Sequence, residues 1–373
     1  MDYVKKLFAC KDIYDVSGTD ELFVRAMKQN VIFQYNNCEE YRSILDRFGF
    51  SPDGIETMED VACIPPIPTV YLKKHHLAST SDKKMLIKAT SSGTSSRNTS
   101  KIGLDLYSIL RGFKMIRKVF SYHEVWSLVP QRFVVFGYEH KFSNKKAVAQ
   151  TAWGFTFTAP ALSKDYCIRY KGGEYVPDLE YIEKQLIKYS KGRAPVRTIG
   201  FPAYTYFLMR QMRERGVSVK LPKGSMMTLG GGWKQFYAER VEKEDFYRLA
   251  WEVLGIEEKN IIEFFGAAEH PILWTDCRAH HFHIPAYARV IIRDPDTLKP
   301  LPKGEVGLIN LVTPMIRSCP LASVMTDDLG VIHEGECSCG LKTPYLEIIG
   351  RVGLEDIKTC AQGADELMKG DGK

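Results

Sequence analysis

Apolar side chains recur along this chain with two periods, and the alternation between them predicts its elements. Leu22, Phe23, Ala26 and Met27 share one face at 3.6-residue spacing. Ser17 and Asp20 precede them at capping-box spacing, so a helix is predicted to start there. Further helices are predicted on Leu106, Ile109, Leu110, Phe113 and Ile116, on Leu179, Ile182, Leu186 and Tyr189, and over 236–254, where Gly255 takes the place of a C-cap. Short apolar runs at Met85-Leu86-Ile87, 133–136 and 290–292 predict strands. Cys63-Ile-Pro-Pro-Ile-Pro-Thr69 interrupts helical continuity and forces extended backbone, as a connector does. Strands and helices alternate through the middle, which predicts an α/β core over about 1–288. From about 289 to 350 short strands and turns (PDTLKPLPKGEVG) predict a smaller β-rich subdomain, followed by a short segment over 351–373.

Composition narrows the function. The 373 residues, 45% hydrophobic, suffice to bury a core as one large domain or two to three smaller ones. Lys and Arg number 51 against 45 Asp and Glu, a net +6 with no contiguous basic block or tail. That excludes the usual footprint of a nucleic-acid binder and suits a small anionic ligand. No stretch approaches the ~18 uninterrupted apolar residues of a membrane span. The first twelve residues (MDYVKKLFACKD) are charged and lack a signal-peptide core, so a soluble, cytoplasmic protein is expected. Nine scattered cysteines, an odd number, argue for reduced thiols over a disulfide framework.

Four motifs carry candidate chemistry. Thr90-Ser-Ser-Gly-Thr-Ser-Ser96 lies between a predicted strand and a predicted helix. Its small hydroxylic residues around Gly93 let backbone pass close to an anion while N–H and O–H donors converge on it. It lacks the Walker pattern. Phe264-Phe-Gly-Ala-Ala-Glu269, Val324-Met-Thr-Asp-Asp-Leu-Gly330 and Ile348-Ile-Gly-Arg351 follow in order. Cys277 and His283, separated by five residues, and Cys337-Ser-Cys339 form a further set. Soft thiolates with an imidazole suit tetrahedral Zn²⁺, and four protein ligands with no open position would make it structural. Such a site would pin the β-rich subdomain to the core, with His281 as the runner-up ligand.

Taken in order over 85–360, these motifs resemble the signatures of the adenylate-forming superfamily: a Ser/Thr/Gly phosphate loop, an aromatic-Gly-x-x-Glu motif, a Thr-x-Asp motif and a Gly-Arg hinge. Within it, the chain looks most like LuxE-type acyl-protein synthetases, with phenylacetate-CoA ligase-like enzymes next. The resemblance implies an acyl-CoA synthetase-like N-terminal domain that activates a carboxylic acid, a fatty acid above all, with ATP and Mg²⁺ as acyl-AMP. It places Ser91, Ser92, Gly93, Thr94 and Ser95 on the β- and γ-phosphates, Glu269 near Mg²⁺, Asp328 on the ribose hydroxyls and Arg351 on ribose or phosphate. Gly230-Gly-Gly-Trp233, with Gly231 and Gly232, would present backbone to the adenine and the acyl group. Some relatives carry zinc on this Cys-x5-His and Cys-x-Cys arrangement. The sequence departs from the pattern at Ser96 and Arg97-Asn98, where Gly and Lys are usual, and at Ala268, where Thr is usual; Arg97 or Lys101 would take the cation's part.

Adenylating relatives carry a full C-terminal domain with a catalytic lysine after the hinge, whereas only residues 352–373 follow it here. In LuxE-type proteins a cysteine at the position of Cys360 accepts the acyl group as a thioester, which implies Cys360 as nucleophile, with Lys358 lowering its pKa. The implied partner is an acyl-CoA-reductase-like protein; no nucleic acid or membrane span is expected, and self-association stays open. Two other functions remain open: an acyl- or aryl-CoA ligase or amide synthetase using a diffusible acceptor, and a zinc-stabilised binding protein without the chemistry. The aromatics over 153–157 and 201–207 are expected to serve the core ahead of an acyl pocket.

Overall fold

The computed structural model describes residues 1–90, 99–141, 144 and 146–351; for Lys234, Gln235, Tyr237 and Arg351 it describes the backbone alone. The chain forms two compact units. One comprises Met1–Val119 and Gly266–Lys373, the other Phe120–Phe265.

In the 120–265 unit, strands run in the order Ile261–Ala267, Met226–Gly230, Val196–Gly200, Gln131–Tyr138, Ala161–Lys171, Glu174–Pro177. All neighbours are parallel except the last pair. The central strands are buried on both faces, as expected where helices cover both sides of a sheet. Leu179–Ser190, Pro202–Glu214 and Lys243–Leu254 supply that cover, burying Ile182, Leu186, Leu208, Met212, Phe246 and Leu254 with Val134 and Phe136.

Gly200 ends its strand at φ +145°, and a Cβ there would lie 2.2 Å from the Phe136 carbonyl oxygen, so no other residue fits. Pro202 then opens a helix at its first turn. Gly255 closes Lys243–Leu254 in the left-handed conformation, as its sequence position predicts. The predicted helix over 236–254 is broken: a 3₁₀ stretch, Lys234–Glu239, precedes the α-helix.

The other unit is built on an antiparallel sheet in the order Phe282–His283, Tyr345–Arg351, Ser323–His333, Gly307–Val312, Arg289–Arg293. The Pro-rich connector joins it as a short parallel strand, Ile67 opposite Val324 and Pro68 opposite Met325. Two arginines are buried beside this sheet. Arg289 donates to Asp20, while Arg293 donates to Asn310 and to the carbonyls of Leu298 and Ala62. Against the predicted capping box at Ser17, the helix Asp20–Asn37 begins without a side-chain cap; Thr19 donates to the carbonyls of Asp15 and Val16 instead. The capping box present is Thr57 with Asp60, ahead of Met58–Ala62.

Two expectations about the hydroxylic loop and the helix after it change. Strand Lys101–Asp105 intervenes between them and pairs antiparallel with Met85–Thr90, Thr90 opposite Lys101. The loop therefore spans a hairpin, with residues 91–98 outside the described residues, and does not end at a helix N-terminus. The helix, Leu106–Tyr122, then turns its predicted apolar face outward. Leu106, Leu110 and Phe113 are 54, 53 and 64% exposed, while Ser108, Arg111, Gly112, Met115 and Val119 point inward.

Candidate functional site

The Thr-x-Asp motif lies on Ser323–His333. The pairing with Gly307–Val312 is irregular at these residues, the register shifting between Leu308 and Asn310. Asp327 is engaged structurally: Thr69 Oγ1 donates to it at 3.1 Å and Lys73 Nζ lies 3.8 Å away. The connector strand at Ile67–Pro68 brings both groups there, and no motif in the sequence marks them. Thr326 Oγ1 accepts from the Asp328 backbone N–H at 3.2 Å and donates to the Ile309 carbonyl, which fixes the strand beneath Asp328. Asp328 itself is half-buried and stands directly opposite Arg351 in the neighbouring strand. The structure thus joins two of the expected nucleotide contacts in one hairpin.

Glu269 sits in the turn before strand His270–Thr275 and is 4% exposed. Its carboxylate has no hydrogen-bond or ion-pair partner among the described residues. His270, adjacent, was not foreseen as part of the site. It is fully buried, both ring nitrogens lack a hydrogen-bond partner among the described residues, and burial lowers its pKa to about 3. It is therefore a neutral imidazole at physiological pH.

In the other unit, strand Met226–Gly230 runs into Gly231 and Gly232 at φ +82° and +66°. A Cβ on Gly231 would meet the Phe201 ring at 2.9 Å, so backbone alone occupies this carboxyl end of a parallel strand, where open α/β sheets bind ligands. Aromatic rings line the neighbourhood: Tyr206 lies 5.7 Å from Trp233, and Tyr204 lies 5.7 Å from Phe236. Tyr204 and Tyr206 pack against the core while staying partly exposed, whereas Phe201 is buried in it.

Cys277, His283, Cys337 and Cys339 converge, all four ligand atoms lying within 4.8 Å of one another. The Cys277–Cys337 sulfur separation is 3.9 Å, and Cys339 Sγ lies 3.4 Å from His283 Nε2. Tetrahedral edges built from Zn–S and Zn–N bonds are ~3.8 Å and ~3.6 Å, so the donor set fits Zn²⁺. Thr343 supports it: its carbonyl takes His283 Nδ1–H at 2.8 Å, leaving Nε2 free to ligate. His281 Nδ1 lies 3.2 Å from Cys337 Sγ and its ring stacks on Tyr345, which makes it a neighbour of the cluster.

Both cysteine turns have the same backbone. The Cys277 N–H bonds the His281 carbonyl and the His280 N–H returns to Cys277; Cys337 does the same with Leu341 and Gly340. The N–H two residues on points at sulfur in each, from Ala279 and from Cys339. The fourth residue is left-handed in each, Gly340 at φ +91° and His280 at φ +56°, the latter held by Asp276 at 2.7 Å. Burial raises the Cys277 thiol well above its ordinary value, so a bound cation is what would hold these sulfurs as thiolates. The cluster lies at the Tyr345 end of the strand that carries Arg351, ~20 Å from it at strand rise. It adjoins the hairpin through His283, which pairs with Tyr345.

Ser91, Ser92, Gly93, Thr94, Ser95, Lys358 and Cys360 lie outside the described residues, as does the Arg351 side chain. All eight described cysteines are free. No helix among the described residues is long and apolar enough to cross a membrane.

The fold is that of the adenylate-forming ligases. A 2-hydroxyisobutyryl-CoA ligase structure in complex with 2-HIB-AMP and CoA superimposes with a TM-score of 0.68 at 14% identity, over 91% of this chain and 71% of that one. Within that class the chain belongs to the LuxE acyl-protein synthetase family, whose model matches residues 13–368, and it is an ATP-dependent carboxylate ligase that forms an acyl-adenylate. It is 27% identical over 362 residues to the long-chain-fatty-acid–luciferin-component ligase of Vibrio harveyi, covering 94% of this chain and 90% of that protein. It is also 24% identical to the phenylacetate-coenzyme A ligase of Thermus thermophilus, covering 84% of this chain and 66% of that protein. Ligases of this fold use ATP with Mg²⁺.

Proposed function

We propose that this enzyme activates a long-chain fatty acid and passes the acyl group to its own Cys360 for delivery to a reductase-type partner. In the first step a fatty carboxylate oxygen attacks the α-phosphorus of ATP, and pyrophosphate leaves with the bonding electrons. In the second, the Cys360 thiolate attacks the acyl carbon, the carbon–oxygen bond to phosphate breaks, and AMP leaves. Both reactants of the first step are anions, so the site must supply positive charge and oriented donors.

The observation that carries the reading is the pairing of Asp328 with Arg351 in a hairpin whose other aspartate, Asp327, is already engaged. That arrangement sets Asp328, the residue that would meet the ribose hydroxyls, beside a guanidinium-bearing residue. Glu269 is the group that would hold Mg²⁺, whose positive charge would oppose that of the triphosphate. Ser91, Ser92, Gly93, Thr94 and Ser95 would donate to the β- and γ-phosphates, and Gly231 and Gly232 would lie against adenine and acyl chain. Lys358 would favour the Cys360 thiolate. Cys277, His283, Cys337 and Cys339 would hold a structural Zn²⁺. The fatty-acid substrate and the reductase partner draw support from the similarity to the Vibrio harveyi ligase.

The test is incubation with ATP, Mg²⁺ and labelled fatty acids. The expected result is ATP–pyrophosphate exchange together with label on the protein that hydroxylamine removes and Cys360→Ser abolishes. Exchange without protein label would assign the acyl group to a diffusible acceptor, as in a CoA ligase. No exchange with any acid would make the chain a binding protein.

A further inference from the structure

We propose that the helix Leu106–Tyr122 and the strand Met85–Thr90 that adjoins its start form a docking face for an anionic lipid surface. The helix is amphipathic but laid with its apolar side outward, and polar interactions built into the fold hold that inversion. Ser108 donates to Asp105 at 2.7 Å and accepts the Arg317 N–H at 3.1 Å. Arg111 donates to the Met315 carbonyl at 3.1 Å, and a Cβ on Gly112 would lie 2.8 Å from the Met315 methyl. The inner face is thus committed to close polar and backbone contact, which leaves Leu106, Leu110 and Phe113 in a line outside. Leu86 and Ile87, 64 and 44% exposed, adjoin the start of the helix because Met85 is paired with Asp105. Contiguous exposed apolar surface of this kind marks an interaction site.

Charge says what covers it. The described residues 83–90 and 99–123 contain eight cations, six of them lysine, and one acid, Asp105, which is buried; of the cations Arg111 is buried and Lys88 pairs with Asp82. Lys83, Lys84, Lys101 and Lys114 are exposed, and their side chains make no ion pair or hydrogen bond among the described residues. Leucine and phenylalanine flanked by lysine is the pattern that seats helices at the headgroup boundary of an anionic bilayer. Protein interfaces are instead depleted in lysine, and a two-fold contact with a second copy would set these cations against one another. The choice of a bilayer also draws on the proposed fatty-acid substrate, which partitions into membranes.

The test is flotation of the full chain with vesicles of phosphatidylcholine alone and of phosphatidylcholine with one part in three phosphatidylglycerol. The expected result is binding to the anionic vesicles only, released by salt. Lys114→Glu and Phe113→Ser should each weaken it by about fivefold or more, with an unchanged circular dichroism spectrum because both side chains are exposed. Absence of binding to anionic vesicles at low salt overturns the proposal, as does equal binding by both variants. Concentration-dependent dimerisation broken by Phe113→Ser would reassign the face to a second copy. Pyrophosphate exchange with a medium-chain acid in free solution, run on the same preparations, separates the two proposals: exchange without vesicle binding rejects the docking face alone, and vesicle binding without exchange rejects the activity alone.

Discussion

Asp328 stands directly opposite Arg351 across an antiparallel pair, while Asp327, one residue earlier, is held by Thr69 and Lys73. On the proposed reading the adjacent aspartates have different tasks. Asp328→Ala should raise the KM for ATP by roughly 10- to 100-fold, the worth of one or two hydrogen bonds to a charged group. Asp327→Ala should instead cost about 1 kcal/mol of stability with little change in the KM for ATP. Steady-state kinetics and thermal melts on the two variants check this; similar effects on both quantities would remove the distinction.

The cysteine–histidine cluster predicts one zinc per purified chain, lost in Cys337→Ser and in His283→Ala. His281→Ala should keep it, since the tetrahedral edges are completed by His283. Because binding free energy is also folding free energy, metal loss should lower stability by several kcal/mol. Metal analysis combined with thermal melts is the measurement. Full zinc in His283→Ala with none in His281→Ala would exchange their roles.

Two glycines that look alike in sequence should respond differently. Gly200→Ala drives a Cβ into the Phe136 carbonyl, with rigid backbone on both sides, and should abolish stable folding or cost several kcal/mol. Gly232 is left-handed, but nothing lies within 4 Å of a Cβ built there. Gly232→Ala should therefore cost only about 1–2 kcal/mol while weakening substrate binding at the strand end. Expression level and melting temperature separate the cases, and equal tolerance would contradict the predicted clash.

Local chemistry explains what could be read in the sequence. Gly255 marked a helix end because only the left-handed cap demands glycine there, and Cys277, His283, Cys337 and Cys339 were recoverable because few residue types bind a soft cation. What escaped depended on distant partners. The strand Lys101–Asp105 was hidden because Lys-Ile-Gly-Leu-Asp alternates over only five residues around a central glycine, and its register comes from Met85–Thr90. Thr69, 258 residues from Asp327 in sequence, and Lys73 reach it only because Ile67–Pro68 adds a strand beside Val324 and Met325. The outward face of Leu106–Tyr122 contradicts its own pattern, since burial was decided by Ser108 and Arg111 finding Asp105 and Met315. Consistency across levels fails at that helix, and such failures tend to mark functional surfaces.

His270 gives the last prediction. Its ring is fully buried beside Trp274, with centroids 6.3 Å apart, and burial holds its pKa near about 3 instead of the ordinary 6.5. In the unfolded chain the imidazole takes a proton near pH 6.5; in the folded chain it stays neutral until far lower. The unfolded state therefore binds more protons through that window. The stability linked to His270 is complete above about pH 6.5 and falls as pH drops toward 3, by roughly 1.4 kcal/mol per pH unit. His270→Phe removes the titration and deletes two nitrogens that lack partners among the described residues, so its stability at pH 7 should hold or rise. Its acid limb should be flatter by one proton. Denaturant unfolding of both proteins at pH 7, 6, 5 and 4 measures the slope directly; parallel curves would show that His270 finds a partner able to accept its charge.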